Sequence, residues 1–283
     1  MASEKAPLVS VIIPTHNRAQ LLLRALRSVQ RQTFSDWECV VVDDSSSDET
    51  PEVLAQISKE DSRFLPIRIN RGHAQFPGIY MPLNEGLKFS RGEYIARLDD
   101  DDEWIYPEKL KMQVEYLENN PDCAVVGGGM VVRDENGKEK FRYFKPENDF
   151  EIRASALSVN PIQHPTVLIR ASSLREVGGY PHQRYAEDWE LWLRLGEKWK
   201  LHNIREYFTA YEQSQRSWSY IVARPLSKSI LGIITRHRKK YPGYIRGLLL
   251  NLSQLVYGFL PGFVRAPLHG TFSAIKRGMF SGE

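Results

Sequence analysis

The fold is decided by one nine-residue stretch, Tyr94-Ile95-Ala96-Arg97-Leu98-Asp99-Asp100-Asp101-Asp102. Its first half is short and mostly apolar, which is typical of a buried β-strand, and its second half is a run of four carboxylates. Adjacent carboxylates repel one another unless a cation neutralises them, and Mg²⁺ and Mn²⁺ prefer oxygen ligands of this kind. The stretch therefore predicts a strand that ends at a divalent-cation site. The alternative is a solvated acidic turn ahead of a helix that Pro107 begins.

On the N-terminal side of this stretch, short apolar runs alternate with amphipathic helical patterns. The apolar runs predict strands at Leu8–Ile13, Trp37–Val42 and Phe64–Ile69. An apolar face predicts a helix at Ala19–Gln30. Further helices are predicted near Pro51–Lys59, after a capping turn, and near Asn84–Phe89, before Gly92. Asn17 is predicted to cap the first of these helices. This alternation indicates a parallel sheet with helices on both faces.

On the C-terminal side the pattern becomes mixed. Further strands are predicted at Ala124–Val132, Thr166–Arg170, Lys200–Ile204 and Tyr207–Tyr211. A helix is predicted at Arg184–Lys198, and the chain from Ser219 onward has a long basic and apolar helical pattern. We therefore predict a catalytic domain over residues 1–215 and a helical extension over residues 216–283.

Polar groups follow three of the predicted strands, at Thr15-His16-Asn17, Asp43-Asp44 and Asp99–Asp102. In open α/β sheets, ligands bind outside the carboxyl ends of the strands, so these groups are expected on one rim. A carboxylate at Asp43 can accept hydrogen bonds from an imide N–H or from ribose hydroxyls. An Asx-turn that leads into the next helix is the alternative.

Two further candidates lie in the second half of the chain. Glu187 and Asp188 precede the apolar side chains of a predicted helix, where a carboxylate pKa can rise toward the range of a general base. Acids in a first helical turn also stabilise the helix dipole, which is the alternative. His164 is a lone histidine in the run Gln163-His164-Pro165-Thr166, and it has either a structural or a functional role.

Composition excludes some classes of protein and favours a location. The net charge of +3 is too small to indicate nucleic-acid binding. Cys39 and Cys123 lie in apolar runs, which predicts buried free thiols in a reducing compartment. The N-terminal residues resemble no signal peptide, so a cytoplasmic protein is expected.

The predicted extension pairs a cluster of bases at Arg236–Arg246 with a charge-free apolar stretch at Gly247–Val264. This pairing favours a peripheral membrane-surface element at the inner face of the membrane. A spanning helix and a helix packed on the catalytic domain are the alternatives.

Taken in order, five runs resemble the family 2 glycosyltransferases over residues 8–212. They are Val9–Arg18, Ser28–Phe34, Val40–Asp48, Gly92–Asp102 and Ala186–Leu191. The resemblance implies the GT-A fold, an α/β, Rossmann-like, mixed but mainly parallel sheet flanked by helices, here with a C-terminal helical extension. It also implies roles for individual residues. The nucleotide-sugar would bind at Pro14, Thr15, Asn17, Arg18, Asp43, Asp99 and Asp100; Asp101 would ligate the metal; Asp188 would be the catalytic base; and Glu187, His164 and Asp102 would lie beside the acceptor or support the site.

The function implied is an inverting transfer of a sugar, dependent on Mn²⁺ or Mg²⁺, from a nucleotide-diphosphate sugar to an acceptor hydroxyl. The expected donor is a UDP-sugar, the expected acceptor is a glycan or a lipid-linked molecule, and the expected process is synthesis of cell-surface polysaccharide or glycolipid. The enzymatic alternative is a nucleotidyltransferase of sugar phosphates, but no glycine-rich loop lies near His16 and Arg18. The other alternative, a non-catalytic membrane-surface module, does not account for the acids at Asp99–Asp102 and Asp188.

Overall fold

The computed structural model describes residues 5–70, 78–212 and 223–259 of the 283-residue chain. The strands are β1 (Val9–Thr15), β2 (Trp37–Asp44), β3 (Phe64–Ile69), β4 (Tyr94–Arg97), β5 (Glu103–Trp104), β6 (Cys123–Arg133), β7 (Glu139–Tyr143), β8 (Leu168–Arg170) and β9 (Lys200–Glu212). The α-helices are α1 (Ala19–Gln30), α2 (Thr50–Glu60), α3 (Tyr80–Phe89), α4 (Lys109–Asn119), α5 (Asp149–Ser155), α6 (Ala171–Glu176), α7 (Glu187–Gly196), α8 (Ala223–Arg236) and α9 (Tyr244–Phe259). A 3₁₀ turn spans His164–Thr166.

These strands form one mixed sheet in the order β3-β2-β1-β4-β8-β6-β9-β5, with β7 paired to β6. The first four strands in this order are parallel, and their register sets Thr15 beside Asp43. Strand β8 runs antiparallel to both β4 and β6. The predicted GT-A arrangement, a mixed α/β sheet flanked by helices with further helices at its C-terminal end, is confirmed.

Helices cover both faces of the sheet because β1 and β2 are apolar on both of their faces. Val11 and Val41 pack in one core with Leu22 of α1 and Leu110 of α4. Alternate residues of the same strands contribute to a second core, which holds Leu83 of α3 and Trp192 of α7. Cys39 and Cys123 are buried free thiols, as predicted.

Three predictions of local structure were wrong in detail. The first strand extends beyond its predicted end at Ile13, through Pro14 to Thr15. The cause is that the pairing of β1 with β4 has already stopped at Ile12, so the missing N–H of Pro14 removes no bond from that side of the ladder. The two strands predicted after α7 are the single strand β9, whose irregular register against β6 is centred on Gly127–Gly129. Residues 164–166 form the 3₁₀ turn, so the strand predicted from Thr166 begins at Leu168.

Asn17 does not cap α1. The backbone of Asn17 is left-handed, with φ of 53°, and its side chain accepts a hydrogen bond from the Ser47 N–H at 2.7 Å. The N-terminal N–H of α1, at Ala19, donates instead to the Asp48 carboxylate at 3.2 Å. The cap is therefore supplied by the β2–α2 loop, and it links the ends of two neighbouring strands.

Helices α8 and α9 follow the part of the chain that resembles the family. A separate apolar cluster joins Ile233 and Ile234 of α8 to Trp189 and Leu193 of α7. Within residues 5–70, 78–212 and 223–259, no helix is both long enough and apolar enough to cross a bilayer. Residues 260–264 of the predicted apolar stretch lie outside these ranges.

Candidate active site

The carboxyl ends of β1 and β2 are tied together by short polar contacts. The His16 ring donates from Nδ1 to the Asp44 carbonyl at 2.6 Å, and the Asn17 N–H donates to Ser46 Oγ at 2.9 Å. Asp43 is buried, and its Oδ1 accepts from the Ser46 N–H at 2.9 Å. Asp43 therefore bonds within the β2–α2 loop, and the register sets its carboxylate beside Thr15 on the predicted rim.

Backbone strain is concentrated at the predicted site. Among the described residues, the non-glycine residues with positive φ are Asn17, Ser45 and Ala186. The first two lie at the ends of β1 and β2, and the third directly precedes Glu187 and Asp188. Each such conformation costs on the order of 1–3 kcal/mol and persists only where its surroundings hold it. This strain at three separate loops supports a shared functional site.

Burial alternates along the aspartate run after β4, because Asp100 and Asp102 are buried whereas Asp99 and Asp101 are partly exposed. Arg18 Nη1 lies 3.1 Å from Asp100 Oδ1 and 2.6 Å from Asp101 Oδ2, while its own side chain is 45% exposed. Arg24 fixes the backbone of the run by donating to the Asp101 carbonyl at 2.8 Å. Burial raises the pKa of Asp100 to about 6, against the opposing effect of the Arg18 charge. The Arg18 charge therefore does not offset the effect of burial on the Asp100 carboxylate.

Asp102 is the most deeply buried acid of the run. Burial, followed by the charges of Asp99 and Asp101, raises its pKa well above the ordinary range. Its Oδ1 atom is buried and has no hydrogen-bond partner within the part of the chain that the structure describes. An unpaired buried carboxylate is costly unless a proton or a cation joins it.

Arg97 links the aspartate run to the second acidic pair. This side chain is fully buried, and its Nη2 donates to Asp99 Oδ1 at 2.5 Å. It also interacts electrostatically with Asp102, Glu187 and Asp188. Its Nε and Nη1 atoms have no hydrogen-bond partner among the described residues. Arg97 was not predicted as a site residue, although a charge inside an apolar strand was a signal for it.

The two acids at the start of α7 have different surroundings. Asp188 accepts from the Trp189 N–H at 2.8 Å and from Asn160 Nδ2 at 2.6 Å. Burial raises its pKa, and these two bonds oppose the rise. For Glu187, burial and then the Asp188 charge raise the pKa to about 8. Burial therefore favours a protonated Glu187 at neutral pH, whereas the two hydrogen bonds to Asp188 favour the ionised form of that carboxylate.

His164 is a buried side chain that packs between Tyr180 and Trp192. Its Nε2 lies 3.0 Å from the Tyr180 hydroxyl, and its ring meets the edge of Trp192 at 5.7 Å between centroids. Burial and then the Arg97 charge hold the pKa of His164 well below its usual range. These contacts fit a supporting role rather than proton transfer.

The surroundings of Glu187 predict a pH-dependent gain in stability for the Glu187→Gln variant. Between pH 4.5 and about 8 the unfolded chain has lost the Glu187 proton while the folded chain keeps it, so wild-type stability falls as pH rises through this window. Glutamine does not titrate and resembles the protonated acid. We expect the melting temperature of the free variant to match wild type near pH 5 and to exceed it by at least roughly 2–4 °C near pH 7.5, which corresponds to about 1 kcal/mol.

The control for this comparison is Glu135→Gln, at an exposed position. Melting curves of both variants should be recorded without metal or nucleotide. A Glu187→Gln difference from wild type that is the same at both pH values would contradict the assignment of the proton to Glu187.

Comparisons with known proteins show which family the chain is similar to. Residues 10–178 match the sequence profile described as Glycosyl transferase family 2. EpsE of Bacillus subtilis, which is named a glycosyltransferase, is 30% identical over 274 residues that cover 93% of each chain. A Campylobacter jejuni enzyme named GalNAc(5)-diNAcBac-PP-undecaprenol beta-1,3-glucosyltransferase is 31% identical over 205 residues, which cover 72% of this chain and 64% of that one.

A solved structure shares the fold. The mannosyltransferase PcManGT from Pyrobaculum calidifontis, solved in complex with GDP-Man and Mn²⁺, superimposes with a TM-score of 0.63 at 18% identity. The match covers 96% of this chain and 81% of PcManGT. The structural similarity shows the GT-A type of fold. The profile match and the similarity to EpsE show that the chain belongs to glycosyl transferase family 2 and is a glycosyltransferase.

Proposed function

We propose that this glycosyltransferase moves a sugar from a nucleotide-diphosphate sugar to an acceptor hydroxyl, with a divalent cation and with inversion at the anomeric carbon. The observation that carries the proposal is the run of four adjacent aspartates at the end of β4, whose carboxylates are paired with only two guanidinium groups among the described residues, those of Arg18 and Arg97. A nucleotide diphosphate is itself an anion, so it can enter this acidic rim only together with additional positive charge.

The donor atoms of the run fit Mg²⁺ or Mn²⁺, because all of them are carboxylate oxygens and Asp102 Oδ1 has no hydrogen-bond partner among the described residues. Over the described ranges, no three His, Cys, Asp or Glu side chains converge on one point. Diphosphate oxygens would therefore complete the shell of an ion held by Asp101, as is usual for these cations. When bound, the ion would supply positive charge to the leaving diphosphate. PcManGT, with its GDP-Man and Mn²⁺, supports this choice.

Asp188 is the proposed general base. Its two hydrogen bonds fix the carboxylate at the start of α7 and favour its ionised form. An ionised carboxylate can take the proton of an acceptor hydroxyl as that oxygen attacks the anomeric carbon. Attack from the face opposite the leaving diphosphate forms one bond and breaks one bond, so the configuration inverts and no covalent intermediate is needed.

The proposed donor is a UDP-sugar, with Asp43, Thr15 and Asn17 at the nucleotide end of the site. The proposed acceptor is a glycan or a lipid-linked molecule in the synthesis of cell-surface polysaccharide or glycolipid. The Campylobacter jejuni relative, whose name includes a lipid-linked oligosaccharide, supports an acceptor of this kind.

A thermal-shift panel tests the proposal. Full-length protein is melted with UDP-, GDP-, ADP- and dTDP-sugars, each with Mn²⁺ and with EDTA. We expect one nucleotide to raise the melting temperature in the presence of Mn²⁺ and to have little effect with EDTA. Stabilisation by a nucleoside triphosphate together with a sugar phosphate, and by none of the diphosphate sugars, would favour a nucleotidyltransferase instead.

Arg18 yields a separate prediction about the metal-free protein. Its guanidinium partly neutralises Asp100 and Asp101, so Arg18→Gln should lower the melting temperature without metal. Because the acids then lack their cationic partner, added Mn²⁺ should raise the melting temperature more in the variant than in wild type. Arg142→Gln is the matched control, since Arg142 pairs with Glu139 on an exposed surface, where such a pair contributes little to stability. Equal Mn²⁺-induced shifts in wild type and Arg18→Gln would exclude a cation at this position.

A further inference from the structure

Helix α9 exposes a continuous row of large apolar side chains. These side chains are between 39% and 67% exposed, and they are Ile245, Leu249, Leu252, Val256 and Phe259. Their spacing of four, three, four and three residues places them on one face of the helix, which we name the apolar stripe. Elsewhere in the described chain, exposed large apolar residues are isolated, at Leu23, Phe89 and Phe150.

The opposite face of α9 is fixed against the catalytic domain. A Cβ atom added at Gly247 would lie 2.3 Å from the Leu157 carbonyl oxygen, so this close approach requires glycine. Asn251 is buried and donates to the Leu157 carbonyl at 3.4 Å, and Arg224 of α8 donates to the Gly258 carbonyl at 2.7 Å. The helix is therefore held along its length, and the apolar stripe points away from the domain.

The chain around the apolar stripe carries only positive charge. Between Gln213 and Gly282 the sequence has eleven Lys and Arg residues and no Asp or Glu. Arg238, Lys239 and Lys240 are exposed just before α9 begins. Residues 1–212, by contrast, contain 34 acidic and 27 basic residues. Although Glu197 lies 3.6 Å from Lys240, the exposed charges on residues 238–246 are all basic, which favours a partner that is apolar in its interior and anionic at its boundary.

The position of α9 relates this surface to the proposed chemistry. The Leu157 carbonyl that receives Asn251 lies three residues before Asn160, whose amide donates to Asp188. Helix α8 also contacts the loop before α7, because Ser229 Oγ donates to the Tyr185 carbonyl at 3.1 Å. Helices α8 and α9 therefore contact the two segments that position the proposed base, the one before Asn160 and the one before α7.

We propose that the apolar stripe lies flat in the surface of an anionic bilayer, with the neighbouring bases on the lipid headgroups, and brings the site to an acceptor carried on a membrane lipid. The acceptor part of this inference rests on the proposed function. A helix that is apolar on one outer face and packed on the other fits an interfacial position. Bases near an anionic leaflet are attracted to its surface, and the inserted apolar side chains add to the binding.

Vesicle flotation of the full-length chain tests the proposal. The vesicles are phosphatidylcholine alone and phosphatidylcholine mixed with phosphatidylglycerol. We expect wild type to float with the mixed vesicles at low salt, and Leu249→Ser/Val256→Ser to lose at least about tenfold in partitioning. Lys239→Glu/Lys240→Glu should weaken flotation on the mixed vesicles at low salt and have little effect at high salt. Phe150→Ser removes an 83% exposed apolar side chain from α5 and should float like wild type.

Absence of wild-type flotation, or equal flotation of wild type and Leu249→Ser/Val256→Ser, would overturn the proposal. A concentration-dependent dimer in sedimentation velocity that this double variant abolishes would also overturn it, because the apolar stripe would then bind a second copy of the chain. Donor hydrolysis without vesicles should be the same in wild type and in both double variants. Wild-type flotation without any donor hydrolysis would support the membrane surface and count against the proposed function, so the two failures are distinguishable.

Discussion

Asp188→Asn is expected to lower turnover by at least about 10²-fold, the scale of a lost general base, while leaving donor affinity nearly unchanged. The amide keeps the shape of the carboxylate and removes its basicity. It should also be accommodated, because Asn160 Oδ1 has no partner in the described chain and can turn to accept from the new NH₂ group. Steady-state turnover and calorimetric donor affinity are the measurements.

The neighbouring variant Glu187→Gln provides the comparison for this result. Glu187 keeps its proton at neutral pH in the free protein, so glutamine should retain much more turnover than Asp188→Asn does. Near-normal turnover in Asp188→Asn together with a large loss in Glu187→Gln would reverse the two roles. Near-normal turnover in both variants would leave the pair as ordinary first-turn acids of α7.

Asp101→Ala is expected to abolish metal-dependent binding of nucleoside diphosphate, a loss of at least about 10²-fold or 2.7 kcal/mol. The fold should remain intact, because the change removes one of several mutually repelling acids and Arg18 keeps its contact with Asp100. Calorimetric titration of the nucleotide in Mn²⁺, with a melting curve for each protein, measures both parts of the prediction.

The matched control is Asp122→Ala, which removes an exposed acid paired with Lys200 at the opposite end of the sheet. This control should bind nucleotide like wild type. Unchanged nucleotide affinity in Asp101→Ala would remove the metal assignment from this residue, and Asp99 and Asp102 would become the acids to test.

The strands of the parallel half could be predicted from sequence because strands buried on both faces appear as continuous apolar runs. The prediction of β3 at Phe64–Ile69 matches the structure at both ends. Ligands of open α/β sheets bind at the carboxyl ends of the strands, and this rule alone predicted that Thr15, Asp43 and the aspartate run lie on one rim. The short strands β5 and β7 lack an apolar run of sufficient length and were not predicted.

Long-range partners could not be read from sequence. Asn160 is 28 residues from Asp188, and only the packing of the segment before the 3₁₀ turn against α7 brings the two together. Asn17 was predicted as the cap of its own helix, whereas it bonds to a loop 30 residues away. In both cases the competing partner belongs to another element, and a local pattern contains no information about it.

The partners of Arg97, within the site itself, could not be predicted from the sequence either. Its sequence neighbours predict a buried strand, and a lone charge in such a strand indicates a buried ion pair without naming the partner. The structure supplies Asp99 by direct contact and, through electrostatics, Asp102, Glu187 and Asp188. One guanidinium is thus shared between the proposed metal site and the proposed base.

The most direct test of metal-dependent sugar transfer is product analysis with the full-length chain. The protein is incubated with a panel of nucleotide-diphosphate sugars in Mn²⁺ or in EDTA, and the released nucleotide is quantified. The prediction is release of a nucleoside diphosphate from one donor in Mn²⁺, loss of that release in EDTA and in Asp101→Ala, and inverted configuration of the released or transferred sugar. Equal release in EDTA, or formation of pyrophosphate from a nucleoside triphosphate and a sugar phosphate, would contradict it.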